Sequence, residues 1–234
     1  MARGLSLGQL ISDLRDELRR ANSPSASPDD VASLRRTINH VYFTLYYAHD
    51  WTFLKTMFPK ITLNAGQRFY DVPDGLDFER IVEMNVWWNA LPTPVERGIG
   101  FADYAAYDPE ANDRSSPMMK WDVRFTGDKE QIEVWPLPDS SAQALQFFGV
   151  YEHKRLVNDT DICRLDGELV VLYAAAELLP KDSPDKETKL AMAKDLLRLL
   201  KIRGTAAAGK TYTNGAGGGG VQNVHPRAQV RVSG

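Results

Sequence analysis

Cysteine is almost absent from this chain: Cys163 is the single one among 234 residues. That excludes a disulfide framework within the chain and fits assembly in a reducing cytosol. Long apolar runs are missing too. No stretch approaches ~18 uninterrupted apolar residues, so no segment is expected to span a membrane. The opening Met1-Ala2-Arg3-Gly4-Leu5 passes straight into an amphipathic pattern, without the apolar core of a secretory signal. A net positive charge is missing: 28 Lys and Arg stand against 31 Asp and Glu, and the resulting −3 argues against tight binding to nucleic acid. Histidine is sparse, and His40, His49, His153 and His225 include no pair at metal-ligand spacing on one helix face. There is no G-x-S-x-G, and Cys163 has no identifiable base. The acids are too scattered to select a catalytic pair. No catalytic residue, metal ligand or cofactor site is therefore assigned, and the chain is read as non-enzymatic.

What is present is a change of hydrophobic period, from helical to alternating and back. Leu7, Leu10, Ile11, Leu14 and Leu18 share one face of a helix over 5–21. Asn22-Ser23-Pro24-Ser25-Ala26 breaks it. Ser27-Pro28-Asp29-Asp30 then has the form of a helix start: a cap, a proline whose missing N–H is harmless, and acids at the positive end. The second helix runs to about Asp50 on the stripe Val31, Leu34, Ile38, Val41 and Leu45. Its aromatic-rich end, Tyr42 to Trp51, is expected to be buried all round.

From 52 to about 161 the period is two. Lys60–Leu63, Gln67–Val72, residues 80–88 and Gln143–His153 are expected strands. The clearest hairpin covers 120–135 and turns at Gly127-Asp128. It sets Val123 opposite Ile132 and Trp121 opposite Val134. Asp122, Arg124, Gln131 and Glu133 fall on the other face, which is expected to be wet. Helical period returns with Leu165, Leu169, Leu172, Ala176 and Leu179. After Pro180-Lys181-Asp182, a second capped start, Ser183-Pro184-Asp185, opens a helix on Leu190, Ala193, Leu197 and Leu200, ending near Gly204.

Thr205 to Gly234 holds no acidic residue. Lys210, Arg227 and Arg231 make it +3, leaving −6 for residues 1–204. With its run Gly217-Gly218-Gly219-Gly220 it has too little apolar surface to fold alone. Yet Ala228-Gln229-Val230-Arg231-Val232 alternates like a strand, which suggests pairing with another chain. The expected fold is α+β: a four-helix bundle from 1–51 plus 162–204, interrupted by an antiparallel β-rich insert at 52–161, with an extended C-terminal tail at 205–234.

Several motifs carry a sharp and a bland interpretation. Gly204-Thr205-Ala206-Ala207-Ala208-Gly209-Lys210-Thr211 fits G-x-x-x-x-G-K-[ST] letter for letter. A phosphate-binding loop needs a strand before it and a helix after it. Here a helix precedes and glycines follow, so the match is taken as accidental. Asp159 and Asp161 suit a solvated loop better than a cation site. Trp87, Trp88, Trp121, Trp135, Phe147, Phe148 and Tyr151 could form a stacking platform for bases or sugars. Interleaved in strands near Glu83, Asp122 and Glu133, they are more simply core.

Four segments, in their order, resemble the head-to-tail connector adaptors of tailed bacteriophages, including the tail tubular protein A type. They are a helix ending Ala48-His49-Asp50-Trp51-Thr52-Phe53-Leu54; Gly66-Gln67-Arg68-Phe69-Tyr70-Asp71-Val72-Pro73-Asp74 with Arg80-Ile81; Ile132-Glu133-Val134-Trp135-Pro136-Leu137-Pro138-Asp139; and Asp159-Thr160-Asp161 before Tyr173-Ala174-Ala175-Ala176-Glu177. The resemblance covers roughly 6–203. It implies a virion protein of the neck, assembled in the host cytoplasm as a homo-oligomeric ring, usually a dodecamer. The ring would sit below the portal protein, contact tail or nozzle proteins, and let double-stranded DNA pass. Lys210, Tyr212, Val224, Arg227, Val230, Arg231 and Val232 are the expected portal contacts. The alternatives are another tail or neck component, such as a receptor- or glycan-binding module, and a nucleotide-binding protein using the 204–211 segment.

Overall fold

The computed structural model describes residues 3–18 and 28–207. Ser6 opens the first helix, α1 (Leu7–Glu17), through a reciprocal box: its Oγ accepts from Gln9 N–H, and Gln9 Oε1 accepts from Ser6 N–H at 2.9 Å. Leu7, Leu10, Ile11 and Leu14 are all buried, as their spacing predicts. Helix α2 (Pro28–Tyr47) buries Leu34, Ile38, Val41 and Leu45. Its aromatic end is not buried all round, since Phe43 and Tyr47 are each about half exposed.

A 3₁₀ turn (Thr52–Leu54) leads into the strands. In chain order these are β1 (Lys55–Met57), β2 (Ile61–Thr62), β3 (Phe69–Tyr70), β4 (Leu76–Trp88), β5 (Leu91–Pro94) and β6 (Glu96–Arg97). After a short helix α3 (Phe101–Ala106) come β7 (Lys120–Phe125), β8 (Glu130–Trp135) and β9 (Ala144–Tyr151). One sheet has the order β1-β9-β4-β5, with β2 also on β9; the other runs β3-β8-β7-β6. All pairings are antiparallel except β6 with β7. Met84, Val86, Leu145 and Phe147 of the first sheet and Trp121, Ile132 and Val134 of the second share one core.

β4 is long because it bends. Its register with β9 shifts twice between Leu76 and Glu83, as bulged strands do. At that bend Gly149 of β9 passes so close that a Cβ there would sit 2.5 Å from Leu76 Cδ1 and 3.3 Å from the Arg80 carbonyl oxygen. The β4–β5 hairpin turns on Asn89 and Ala90, both at positive φ, which matches the right-handed strand twist.

Helix α4 (Gly167–Leu178) is capped by Asp166, whose Oδ1 accepts from Leu169 N–H. Helix α5 (Pro184–Ala207) closes the described chain. The expected four-helix bundle does not form. In such a bundle each helix gives one stripe to a shared core. Here Leu169, Val170, Val171, Leu172, Ala174, Ala175 and Ala176 of α4 are all buried, so its apolar surface runs round the helix. α4 is therefore a central post, packed by α1, α2 and α5. Trp51, Leu54, Val150 and Leu156 from the chain around the sheets complete that core. A fifth helix, α3, lies among the strands, and the two sheets account for much of the fold. The molecule is a mixed α and β structure rather than a bundle with an insert. α5 also outruns its expected stop at Gly204 and takes in three residues assigned to the tail.

Candidate functional site

The helical layer meets the sheets at the end of α2, and the side chains there form a joint. Tyr46 OH lies 2.7 Å from Asp77 Oδ2 and 2.6 Å from the Tyr151 carbonyl oxygen. Burial and then the Asp77 carboxylate push the Tyr46 phenol well above its ordinary range. Arg80 donates to the carbonyls of Tyr46 and His49, at the negative end of α2, and to Asp50 Oδ1 at 3.2 Å. Lys55 holds the other Asp50 oxygen at 2.6 Å. Burial pushes Asp50 up, but Lys55 and Arg80 outweigh it and hold the carboxyl below its usual range. Trp51 Nε1 donates to the Leu45 carbonyl.

A second joint clasps α2 to the chain before α4. The buried Asn39 amide donates to the Leu156 carbonyl at 2.9 Å and accepts from Leu156 N–H at 2.8 Å. The Asp159–Asp161 loop serves α1 rather than a cation: Leu7 and Gly8 N–H donate to the carbonyls of Asp161 and Asp159. N–H donors from Val157 and Asn158 hold the Asp161 carboxyl below its usual range.

A third cluster corrects the expectation of a wet outer face on the β7–β8 hairpin. The register is as expected, with Val123 opposite Ile132 and Trp121 opposite Val134. Glu133, however, is only 1% exposed. Its carboxylate accepts from Arg68 Nε at 2.7 Å, Arg124 Nε at 2.9 Å and Tyr104 OH at 2.8 Å. Tyr104 belongs to α3, which covers this face and is held by the Lys120–Asp103 ion pair at 2.8 Å. Polar alternation marked the strands correctly but gave no sign that α3 would roof them.

Between α2 and α5, over α4, an open groove of about 430 Å³ is lined mainly by apolar side chains, among them Val41, Leu45, Leu190 and Leu197. His40, Glu177 and Lys186 border it. His40 is exposed. No group of three or more metal-ligating side chains occurs among the described residues. The aromatics divide: Trp121, Trp135 and Phe147 are core. Trp87 is half-buried under the Lys60 ammonium, 3.2 Å from its ring centre. Trp121, Trp135 and Phe147 are therefore closed to a stacking ligand. Gly204 to Ala207 are helical, so the first half of the G-x-x-x-x-G-K-[ST] match has no loop geometry; Lys210 and Thr211 lie outside the described residues.

A family model described as "SU10 adaptor protein" matches residues 5–217. The chain belongs to the SU10 adaptor family. It is accordingly a structural adaptor protein. No curated protein matches it significantly. Among solved structures, a chain described as "Neck of empty GTA particle computed with C6 symmetry" is similar at 15% identity, over 83% of this chain and 90% of that one, with a TM-score of 0.28.

The four segments that carried the resemblance prove to be the joints of this SU10-family adaptor. Ala48–Leu54 and Arg80-Ile81 meet at the end of α2. Gly66 N–H donates to the Pro138 carbonyl at 2.8 Å, tying the second segment to the third. Asp159–Asp161 seats α1. Every expected portal contact, Lys210, Tyr212, Val224, Arg227, Val230, Arg231 and Val232, lies outside the described residues. The family match reaches Lys210 and Tyr212 but stops short of the other five. No helix among the described residues is long and apolar enough to cross a membrane.

Proposed function

We propose that this adaptor works without catalysis as a homo-oligomeric ring, a dodecamer, beneath the portal protein, joining it to tail or nozzle proteins while double-stranded DNA passes through. The family match over residues 5–217 carries this reading. The helical part, 1–51 with 162–204, builds the ring wall; the strands of 52–161 face the tail components; residues 205–234 reach the portal. The charge division supports it. A body of −6 repels DNA phosphates and lets a genome slide, while the +3 segment suits an acidic partner.

Docking that segment costs on the order of 1–2 kcal/mol per residue ordered. Strand hydrogen bonds to the portal, with Val224, Val230 and Val232 buried on it and Lys210, Arg227 and Arg231 paired to acids, would offset the cost. Assembly takes place in the host cytoplasm, consistent with a single buried thiol.

Mass measurement of the chain alone and mixed with its portal tests the proposal. A monomer alone and a closed ring in the mixture are expected; no joint species would sink it. Ending the chain after Ala207 should abolish portal binding, and undiminished binding would remove the C-terminal segment from the contact.

A further inference from the structure

A surface helix needs one apolar stripe, facing its core. α5 has two. Ala193 and Leu200 are buried against the rest of the chain, with Leu190 and Leu197 beside them on the wall of the groove. Met192 and Leu199, seven residues apart, are 48% and 50% exposed, and the half-exposed Ile202 continues their line. At ~100° of turn per residue this second stripe stands nearly opposite the groove wall of the same helix. Each copy thus presents an apolar furrow on one side of α5 and an apolar ridge on the other. Exposed apolar surface of this kind marks association.

The charges correspond as well. Asp195 lies between Met192 and Leu199 along the ridge, with Arg198 beside it. The groove border offers Lys186 and His40 to the acid and Glu177 to Arg198. Ridge and furrow differ, so a contact between them is head-to-tail, and repeating it generates a ring when the rotation closes.

We propose that the α5 ridge of one copy, centred on Met192 and Leu199, seats in the α2–α5 groove of the next, and that this junction repeats around the ring. The inference rests on the ring reading above and names its interface.

The test uses full-length chains. Copies carrying Thr44→Cys, in the groove, are mixed with copies carrying Leu199→Cys, on the ridge, together with the portal that closes the ring, and gently oxidised. Both positions are exposed, so neither change threatens the fold. Cys163 is buried, with its thiol pushed up to about 12 by burial, and stays out of the reaction. Mixed disulfide dimers should exceed dimers of either variant with itself by about tenfold, which corresponds to about 1.4 kcal/mol of preference. A chain carrying both cysteines should give a ladder of linked copies.

Dominant Leu199→Cys self-dimers, or mixed dimers no commoner than with a Leu91→Cys control on the β4–β5 hairpin, would overturn the proposal. So would a Thr44→Cys, Val230→Cys chain that closes on itself, which would give the groove to the chain's own C-terminal segment. Portal binding by the wild-type chain is measured separately. Binding without an excess of mixed dimers removes this interface alone, whereas loss of binding removes the adaptor reading beneath it.

Discussion

Replacing Glu133 by glutamine should destabilise the protein by about 2–4 kcal/mol, a magnitude set by balancing charged hydrogen bonds against rehydration. The carboxylate is almost fully enclosed and accepts from Arg68 through Nε and Nη2, both at 2.7 Å, from Arg124 Nε and from Tyr104 OH. Glutamine keeps the shape but loses the charge and turns an NH₂ donor toward groups that are themselves donors. Hydrogen bonds to a charged group contribute about 1.5–3 kcal/mol each, so a plain sum would be far larger. It is not reached, because the Arg68 and Arg124 side chains are 32% and 39% exposed and can turn to water. What persists is one mismatched buried amide and the loss of the anchor for α3. In urea, followed by the fluorescence of the buried Trp121 and Trp135, the midpoint should fall at unchanged slope. Adding Arg68→Met should cost less in the Glu133→Gln background than in the wild type, with a coupling of about 1–3 kcal/mol. Limited proteolysis near Phe101–Ala106 should quicken. A Glu133→Gln protein within about 1 kcal/mol of wild type would refute the reasoning, since a surface position would do as much.

Tyr46→Phe removes the donor shared by Asp77 and the Tyr151 carbonyl and should cost about 1–2 kcal/mol in urea unfolding; an unchanged midpoint would show that the joint is not held there. His153 is packed among the rings of Tyr42, Phe43 and Tyr46, and burial lowers its pKa below 6.5. The folded state therefore favours the neutral ring, so this contribution is complete above pH 6.5 and is lost as pH falls through the lower folded value. Denaturation midpoints at pH 7 and pH 5 should consequently differ more in the wild type than in His153→Phe; equal differences would exclude His153 as a source. Cys163 should react with a disulfide reagent only as fast as the protein opens, since its thiol is buried and pushed up to about 12; rapid stoichiometric labelling of the native chain would contradict its placement.

Periodicity made the elements legible wherever one face meets the core and the other meets water. α1, the stripe of α2 and the β7–β8 register all follow from spacing alone. It failed wherever an element is apolar, or covered, on both sides. The spacing of Leu165 to Leu179 predicts a single stripe for α4, but Val170, Val171, Ala174 and Ala175 are buried too, and that turns a bundle member into a central post. Alternation predicts a wet Glu133, because glutamate on such a strand is usually exposed. Its burial depends on Arg68, 65 residues away, and on Tyr104 from a short helix without a strong pattern of its own. The bend of β4 was hidden for a similar reason. It lies where Gly149 of the neighbouring strand passes close to Leu76 and Arg80, and sequence spacing does not record such an approach.

The same limit explains why the portal contacts could be proposed from sequence while a self-contact could not. Residues 205–234 stand out by composition, and composition is visible in one dimension. The second stripe of α5 is not. Met192 and Leu199 are interleaved with Ala193 and Leu200 on one helix, so the pattern simply looks more apolar and less periodic. Only when α4 claims one side of α5 does the other become surplus. A helix that must serve both a subunit core and a neighbouring subunit blurs its own signature, because two faces with the same period add to something near uniform. For this adaptor, α5, whose two stripes blur each other and of which one stays exposed, is therefore the better candidate for the contact between copies. α1, whose single stripe is fully spent on its own core, is the poorer one.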